Sequence, residues 1–533
     1  MHKLKTHNMK NIFALLLAAV PFSAISQTTV NLDRNNASIF LSDNGVFFND
    51  PLFSEHGYEI PKGGGDHTAY SMGLWLGGRD LGGQLYTACN EYEDALDYFA
   101  GPVADDYESD YYTTNFGSAI WNVAQSEIDD HIANYSSGGY VVPASIANWP
   151  GNGDPSEGVA EQLAPYEDVN ENDVYDPENG DYPLIKGDEA VYIIINDARG
   201  IHENSGGLQL GVEVHLMFYQ FESMDHLNNT TFLNTKVYNR SEMAYYDFIF
   251  GSFLDFDIGY PENDFIGTDS TRNLVYAYNS INIDFGGISG DLGGYEENPP
   301  AFGVRFLNQP LDVSMHYLSS SGLTGSPGIP TDYYNYLKAV WKNGAPLHND
   351  GLIGFTPDGY PTKYVYTGDA EAMTGWAETV SSDPSGGDRK LLAASNPVLF
   401  NPGDVLCYDM AFVYSREGNN LENVTTLKTI SDEIQDYYDL HIESCDHLFT
   451  ASIAEDKMAK EVLVYPNPTQ GHFTVKMDGY FGLKVFSLEG KLIEDLGNHT
   501  TSADLQLNLS NGIYLLEISQ EGNKQYQKIQ LIH

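Results

Sequence analysis

Between residues 27 and 448 the apolar positions come in short runs that alternate with polar ones, broken every few residues by Gly, Asn and Asp. Two-residue alternation puts successive side chains on opposite faces of a strand, and the Gly/Asn/Asp clusters supply the turns. Strands are predicted at 190–196 (AVYIIIN), 210–221 (LGVEVHLMFYQF), 231–238, 246–254 and 405–414 (VLCYDMAFVY). In the second, Val212, Val214, Leu216 and Phe218 share one face while Glu213 and His215 take the other, as in a sheet with one buried face. Strands this short and this closely spaced predict a large β-sandwich or jelly-roll body. One helix is predicted late in the body. Leu421, Val424, Leu427, Ile430, Ile434, Tyr437 and His441 recur at three or four residues, behind Asn419 or Asn420 as N-cap.

The pattern changes at both ends. Lys3, Lys5 and Lys10 precede a nine-residue apolar run at 12–20, and Ala24, Ile25 and Ser26 are followed by Gln27, so 1–26 reads as a secretory signal peptide. A bilayer span needs about 20 apolar residues, so no transmembrane segment is expected. The small, polar stretch 449–460 reads as a linker. Four or five short strands follow in 461–533, with turns at Pro466-Asn467-Pro468 and Gly471, at Gly490, and at Asn511-Gly512; they predict a small antiparallel immunoglobulin-like sandwich.

Charge narrows the function. The 533 residues hold 26 Lys+Arg against 75 Asp+Glu, a net charge of -49, and a surface that acidic repels phosphate backbones, so nucleic acid is not an expected partner. The acid is concentrated: 27–456 carries a net -51, whereas 457–533 holds 7 basic and 8 acidic residues. That break marks the tail as a separate module. Three cysteines, Cys89, Cys407 and Cys445, allow at most one disulfide, and Cys407, inside an apolar strand, reads as a small core residue.

The tail has a family look. Its Y-P-N-P-x-x-G start, the F-S-L-E-G-K turn, the L-S-N-G-I-Y-L-L-E-I strand and the basic-apolar last strand resemble the type A C-terminal sorting domain of type IX secretion cargo. The matching residues are Pro466, Asn467, Pro468, Gly471, Gly490, Lys491, Gly512 and Tyr514. The resemblance implies a type IX translocon as partner, passage to the outer cell surface or beyond, and cleavage of the tail with attachment of the body to a surface lipid. The body, with GLWLGGRDLGGQL at 73–85, GDRK at 387–390 and NPGD at 401–404, is similar to large secreted bodies that precede this tail and have no assigned activity.

Candidate chemistry in the body is acidic. Asp168, Asn170, Asn172 and Asp176, with Asn179 and Asp181 behind them, begin like a D-x-[DN]-x-[DN] loop, whose side-chain oxygens suit Ca²⁺. Asp173 stands where the hand motif needs Gly and Asn179 where it needs Glu, so an isolated loop site is the calcium version, and a solvated Asn/Asp turn is the alternative. Asp255 and Asp257 share a strand face near Asp264 and Asp269; such a group calls for a cation, a raised pKa, plain exposure, or a glycosidase acid/nucleophile pair. His202-Glu203 and Glu213/His215 lack the further ligands of a zinc site, Gly63-Gly64-Gly65 lacks the ending of a phosphate loop, and no nucleophile motif is present. Trp75, Trp121, Trp149, Trp341 and Trp376 are either core or stacking platforms for sugars. The expectation is a non-enzymatic exported protein, calcium-stabilised and adhesive toward extracellular glycans or surface polymers; the alternative is a secreted polysaccharide hydrolase.

Overall fold

The computed structural model describes residues 29–50, 55–285, 294–350, 354–355, 359–380, 386–443, 463–467, 469–487, 491–520 and 523–532. The segments read as signal peptide (1–26) and linker (449–460), together with Cys445, Pro468 and Gly490, lie outside the described residues. The chain divides into two compact units, Met1–Cys445 and Asp446–His533.

Two large antiparallel sheets dominate the first unit, beside a three-stranded sheet and three two-stranded ones. The larger runs, in spatial order, Ile120–Ala124, Glu189–Asn196, Val212–Gln220, Thr231–Asn239, Val405–Ser415, Ala301–Phe306, Leu274–Asn279 and Asp264–Asp269, with Phe99–Ala100 beside Glu189–Asn196. The smaller runs Leu311–Tyr317, Arg389–Ser395, Tyr245–Phe256, Ser71–Arg79 and Val46–Phe47, with Leu85–Cys89 and Val398–Phe400 paired to its inner strands. The sheets pack face to face: Phe250 of the smaller stacks on Tyr408 of the larger at 4.0 Å, and Met72, Leu74, Ile193, Leu216, Phe218 and Phe412 belong to the same core.

The larger sheet has no solvated face, which corrects the reading of Val212–Gln220. Every residue of that strand is buried. Ala190, Tyr192, Ile194, Met217 and Tyr219 form a second core with Tyr112, Phe116, Trp149 and the helix Asn420–His441. Glu213 and His215 therefore meet a protein layer instead of water. Glu213 accepts from the Val103 N–H at 2.8 Å, from Arg240 at 2.6 Å and from His215 Nε2 at 2.9 Å, while His215 Nδ1 meets the Tyr192 hydroxyl at 2.8 Å. Burial alone would raise the Glu213 carboxyl; its bonds to His215 and Arg240 overcome that and hold it at about 2. Alternation is the same whether the polar set faces water or a second layer, so the strand alone does not distinguish them.

The helix is capped as its sequence demands: the Asn419 side chain accepts from the Leu421 and Glu422 N–H groups, and Glu422 reaches back to the Asn419 N–H. Its buried face passes through Val424, Leu427, Ile430 and Ile434 to Tyr438, whose hydroxyl donates to Asp409 at 2.5 Å; Tyr437 is half-buried and His441 exposed. The last turn thus rotates away from the predicted stripe. Helices Asp110–Phe116, Gln125–Asn134 and Pro330–Tyr336 were not predicted, because the first two bury only two side chains each and set no helical period. Cys407 is half-buried near the start of its strand and disulfide-bonded, and Cys89 is the buried free thiol. Among the described residues no helix is long and apolar enough to cross a membrane.

The second unit is one five-stranded antiparallel sheet. Two of its strands are long, not short: His472–Phe486 and Leu492–Gln506 have 15 residues each. Their pairing breaks between Lys476 and Tyr480, where Gly479 adopts φ +99°, a conformation that costs glycine little. Below the break His472–Phe486 pairs with Leu463–Tyr465, and above it with Gly512–Gln520, so one strand serves both halves. Phe473, Val475, Phe481, Leu483, Leu516 and Ile518 are buried in this unit's own core.

Candidate functional site: an acidic pocket on the smaller sheet

Strand register assembles the pocket. In the pair formed by Tyr245–Phe256 and Arg389–Ser395, Asp255 lies directly across from Lys390. The same register carried two residues further sets Asp257 across from Asp388, and the two-residue period keeps all four on one face. An oxygen from each of Asp255, Asp257 and Asp388 lies within 4.8 Å of the others. Sequence reasoning paired Asp255 and Asp257 correctly but missed Asp388, which stands in the G-D-R-K run and becomes a neighbour only through strand pairing. Asp264 and Asp269 do not join the cluster: Asp264 is fully buried behind it, close enough for Asp257 to raise its pKa further after burial, with one oxygen accepting from the Ile258 N–H at 3.0 Å and the other unpartnered, and Asp269 pairs with Arg272 at 2.8 Å.

Asp255 is 5% exposed. Its Oδ2 accepts from the Tyr92 hydroxyl at 2.5 Å and lies 3.8 Å from Lys390 Nζ, whereas its buried Oδ1 has no hydrogen-bond partner. Burial, aided by Asp388 and opposed by Lys390, pushes this carboxyl up to about 7. Asp257 is pushed well up by burial and then by Asp255 and Asp388. Lys390 spends its ammonium mainly on Asp388, at 3.0 Å, and on the Ser319 hydroxyl, at 2.8 Å. One ammonium against three carboxyls leaves the cluster short of positive charge. The pocket has a volume of about 520 Å³, and Tyr70, Tyr92, Glu93, Asp94 and Glu262 also line it.

The loop 168–181 brings its predicted residues together around Asp176. That carboxylate accepts from the side-chain amides of Asn170 at 3.0 Å, Asn172 at 3.0 Å and Asn179 at 2.8 Å, and these bonds, that from Asn179 foremost, lower its pKa. Asp168 accepts from the Asn172 and Asp173 N–H groups, and Asp181 from those of Val169 and Asp176. Many of the loop's oxygens are thus engaged by its own donors, in contrast to Asp255.

The remaining candidates in the body lie away from this pocket. His202 sits with its ring nitrogens 2.7 Å from the Thr87 carbonyl and 2.9 Å from that of Asp197. Trp75 and Trp341 are fully buried and Trp149 nearly so, while Trp121 and Trp376 are half-buried. In the tail, Pro466, Asn467 and Lys491 are exposed, Gly471 turns with φ +100°, and the Tyr514 hydroxyl donates to the Ser510 carbonyl at 2.9 Å beside Gly512.

No curated protein is detectably similar in sequence. Among solved structures the chain is similar to a polysaccharide lyase (8% identity, 60% of this chain and 34% of that one, TM-score 0.18). It is also similar to a putative aldose 1-epimerase from Escherichia coli K12 (9%, 73% and 99%, 0.24) and to an Aspergillus nidulans amine oxidase (9%, 73% and 52%, 0.25). The chain thus spans about a third of the lyase and about half of the amine oxidase, and likenesses this faint bear on neither chemistry nor mechanism. The tail is different: the family "Secretion system C-terminal sorting domain" matches residues 463–532, the same bent-strand unit that carries the Y-P-N-P start and the N-G-I-Y strand. With that match on those residues, the chain is a cargo of the type IX secretion system, exported by way of its C-terminal sorting domain.

Proposed function

We propose that the exported body is a non-enzymatic, surface-attached module that is stabilised by calcium and adheres to extracellular glycans. The observation behind it is the unpartnered, buried Asp255 Oδ1 beside Asp257 and Asp388. Several carboxylate oxygens and no soft ligand suit a hard cation, and calcium tolerates their irregular arrangement better than magnesium does. A single ion would neutralise what Lys390 leaves unbalanced. The loop 168–181 is the weaker calcium candidate, since its oxygens are largely engaged by its own donors, and it is expected to stay empty at concentrations that fill the pocket.

A polysaccharide hydrolase would also want a carboxyl with a raised pKa, which Asp255 supplies. That mechanism needs two carboxyls placed on either side of a scissile bond, however, whereas Asp255, Asp257 and Asp388 each bring an oxygen within 4.8 Å of the others, an arrangement that suits one shared ion. Metal counting by mass spectrometry on the purified chain, with thermal unfolding in calcium and in EGTA, tests the reading. A bound ion and a transition lowered by EGTA are expected in the wild type and not in Asp257→Asn/Asp388→Asn; a metal-free protein indifferent to EGTA sinks the proposal. Deleting 461–533 should leave the body in the periplasm, and continued display of the deletion would contradict the export route.

A further inference from the structure

The pocket is far larger than an ion, and its surplus space has a chemistry of its own. We infer that it is a cation-dependent sugar site, in which vicinal hydroxyls of a neutral or amino sugar complete the coordination of an ion held by Asp255, Asp257 and Asp388. The inference rests on the cation reading above and names the ligand of that site. Calcium takes six to eight oxygens, so three carboxylates leave positions that adjacent hydroxyls, held at a fixed spacing on a pyranose ring, can fill together.

The walls agree with such a ligand. Tyr92 is fixed by its hydroxyl on Asp255 and by edge contact with Phe253 at 5.7 Å, and Tyr70 stands 6.1 Å from it at an interplanar angle of 55°, so two half-buried rings flank the cluster. Aromatic faces suit the apolar faces of sugars. Glu93, Asp94 and Glu262 add three carboxyls beyond those on the ion, and among the described residues only Lys390 lines the pocket with positive charge. A divalent ion would not offset that excess, so uronates, phosphates and sulfated sugars are repelled while neutral and aminated sugars are admitted.

Calorimetry on the full chain with methyl mannoside, glucosamine and glucuronate, in calcium and in EGTA, tests this, with metal counted on the same samples. The first or second sugar should bind only in calcium, and glucuronate at least about tenfold more weakly. Tyr70→Ala should keep the ion and weaken sugar binding by about tenfold or more, while Trp121→Ala, in a separate cavity that Tyr111, Asn115 and Trp149 also line, should change neither. A protein that holds its ion yet binds none of the sugars at tens of millimolar overturns the inference and leaves the cation reading standing. Sugar binding that survives EGTA, or that follows Trp121 instead of Tyr70, also overturns it. A protein that binds no ion removes both.

Discussion

Glu213 and Asp255 are both buried carboxyls on inner strands of the sandwich, yet their surroundings push them in opposite directions. Glu213, on the larger sheet, accepts from Arg240, His215 and a backbone N–H, and is held at about 2. Asp255, on the smaller sheet, has Tyr92, a distant share of Lys390 and two more acids beside it, and is pushed up to about 7. Both desolvation costs are large, so the number and sign of the partners decide the outcome. The fold completes Glu213 from its own residues. It leaves Asp255 incomplete, and that separates a structural charge from a candidate ligand.

The strongest way to break the contrast is to strip Glu213 of its partner. Arg240→Met should cost the body about 3–5 kcal/mol in denaturant unfolding, because one buried charge is left uncompensated; a loss well under 1 kcal/mol would mean that Glu213 is not ionised as described. Next in size is the ion itself. Calcium at 100 times its Kd should add about 2.7 kcal/mol to the wild-type body and to Arg240→Met alike, and nothing to Asp257→Asn/Asp388→Asn.

The two carboxyls also titrate with opposite sign. Glu213 falls from an unfolded value of about 4.3 to about 2 in the fold, so its contribution is complete above the first and lost as pH drops through the second. Asp255 rises from about 3.9 to about 7, so the folded chain holds a proton that the unfolded chain releases, and stability declines as pH climbs between those values. In EGTA, unfolding followed from pH 4 to 8 should show that decline, made shallower in Asp255→Asn, where Asp257, Asp264 and Glu91, also raised by burial, keep part of it, and reversed by calcium, which competes with the proton. The smallest effect belongs to the loop. Asp176→Ala removes the acceptor of three side-chain amides and should expose 168–181 to limited proteolysis without moving the main unfolding transition.

The same contrast shows how far the sequence could be read. Local signals travelled well: the helix cap at Asn419, the strand through Val212 and Phe218, and the tail's turn at Gly471 are properties of a few neighbours. What failed was information carried by partners distant in the chain. Glu213 and His215 read as solvated because nothing near them announces the layer over that face. Asp255 with Asp257 was legible from the strand period, but Asp388 was not, since the antiparallel register that brings it opposite depends on two whole strands finding each other. The bends that let one strand serve both halves of the tail were equally silent, although Gly479 sits at the break.

The register of Asp257 against Asp388 has a topological consequence. The two strands are joined through a long excursion that includes Pro330–Tyr336, whose Tyr333 packs on Trp75 at 4.7 Å, and the buried Trp341. An ion gripped from both strands would fasten the two ends of that excursion, as a disulfide does, but in a form that forms without an oxidant and opens to a chelator or to acid. Such a reversible rivet would tie the closure of that excursion to the concentration of a dissolved cation rather than to a redox state.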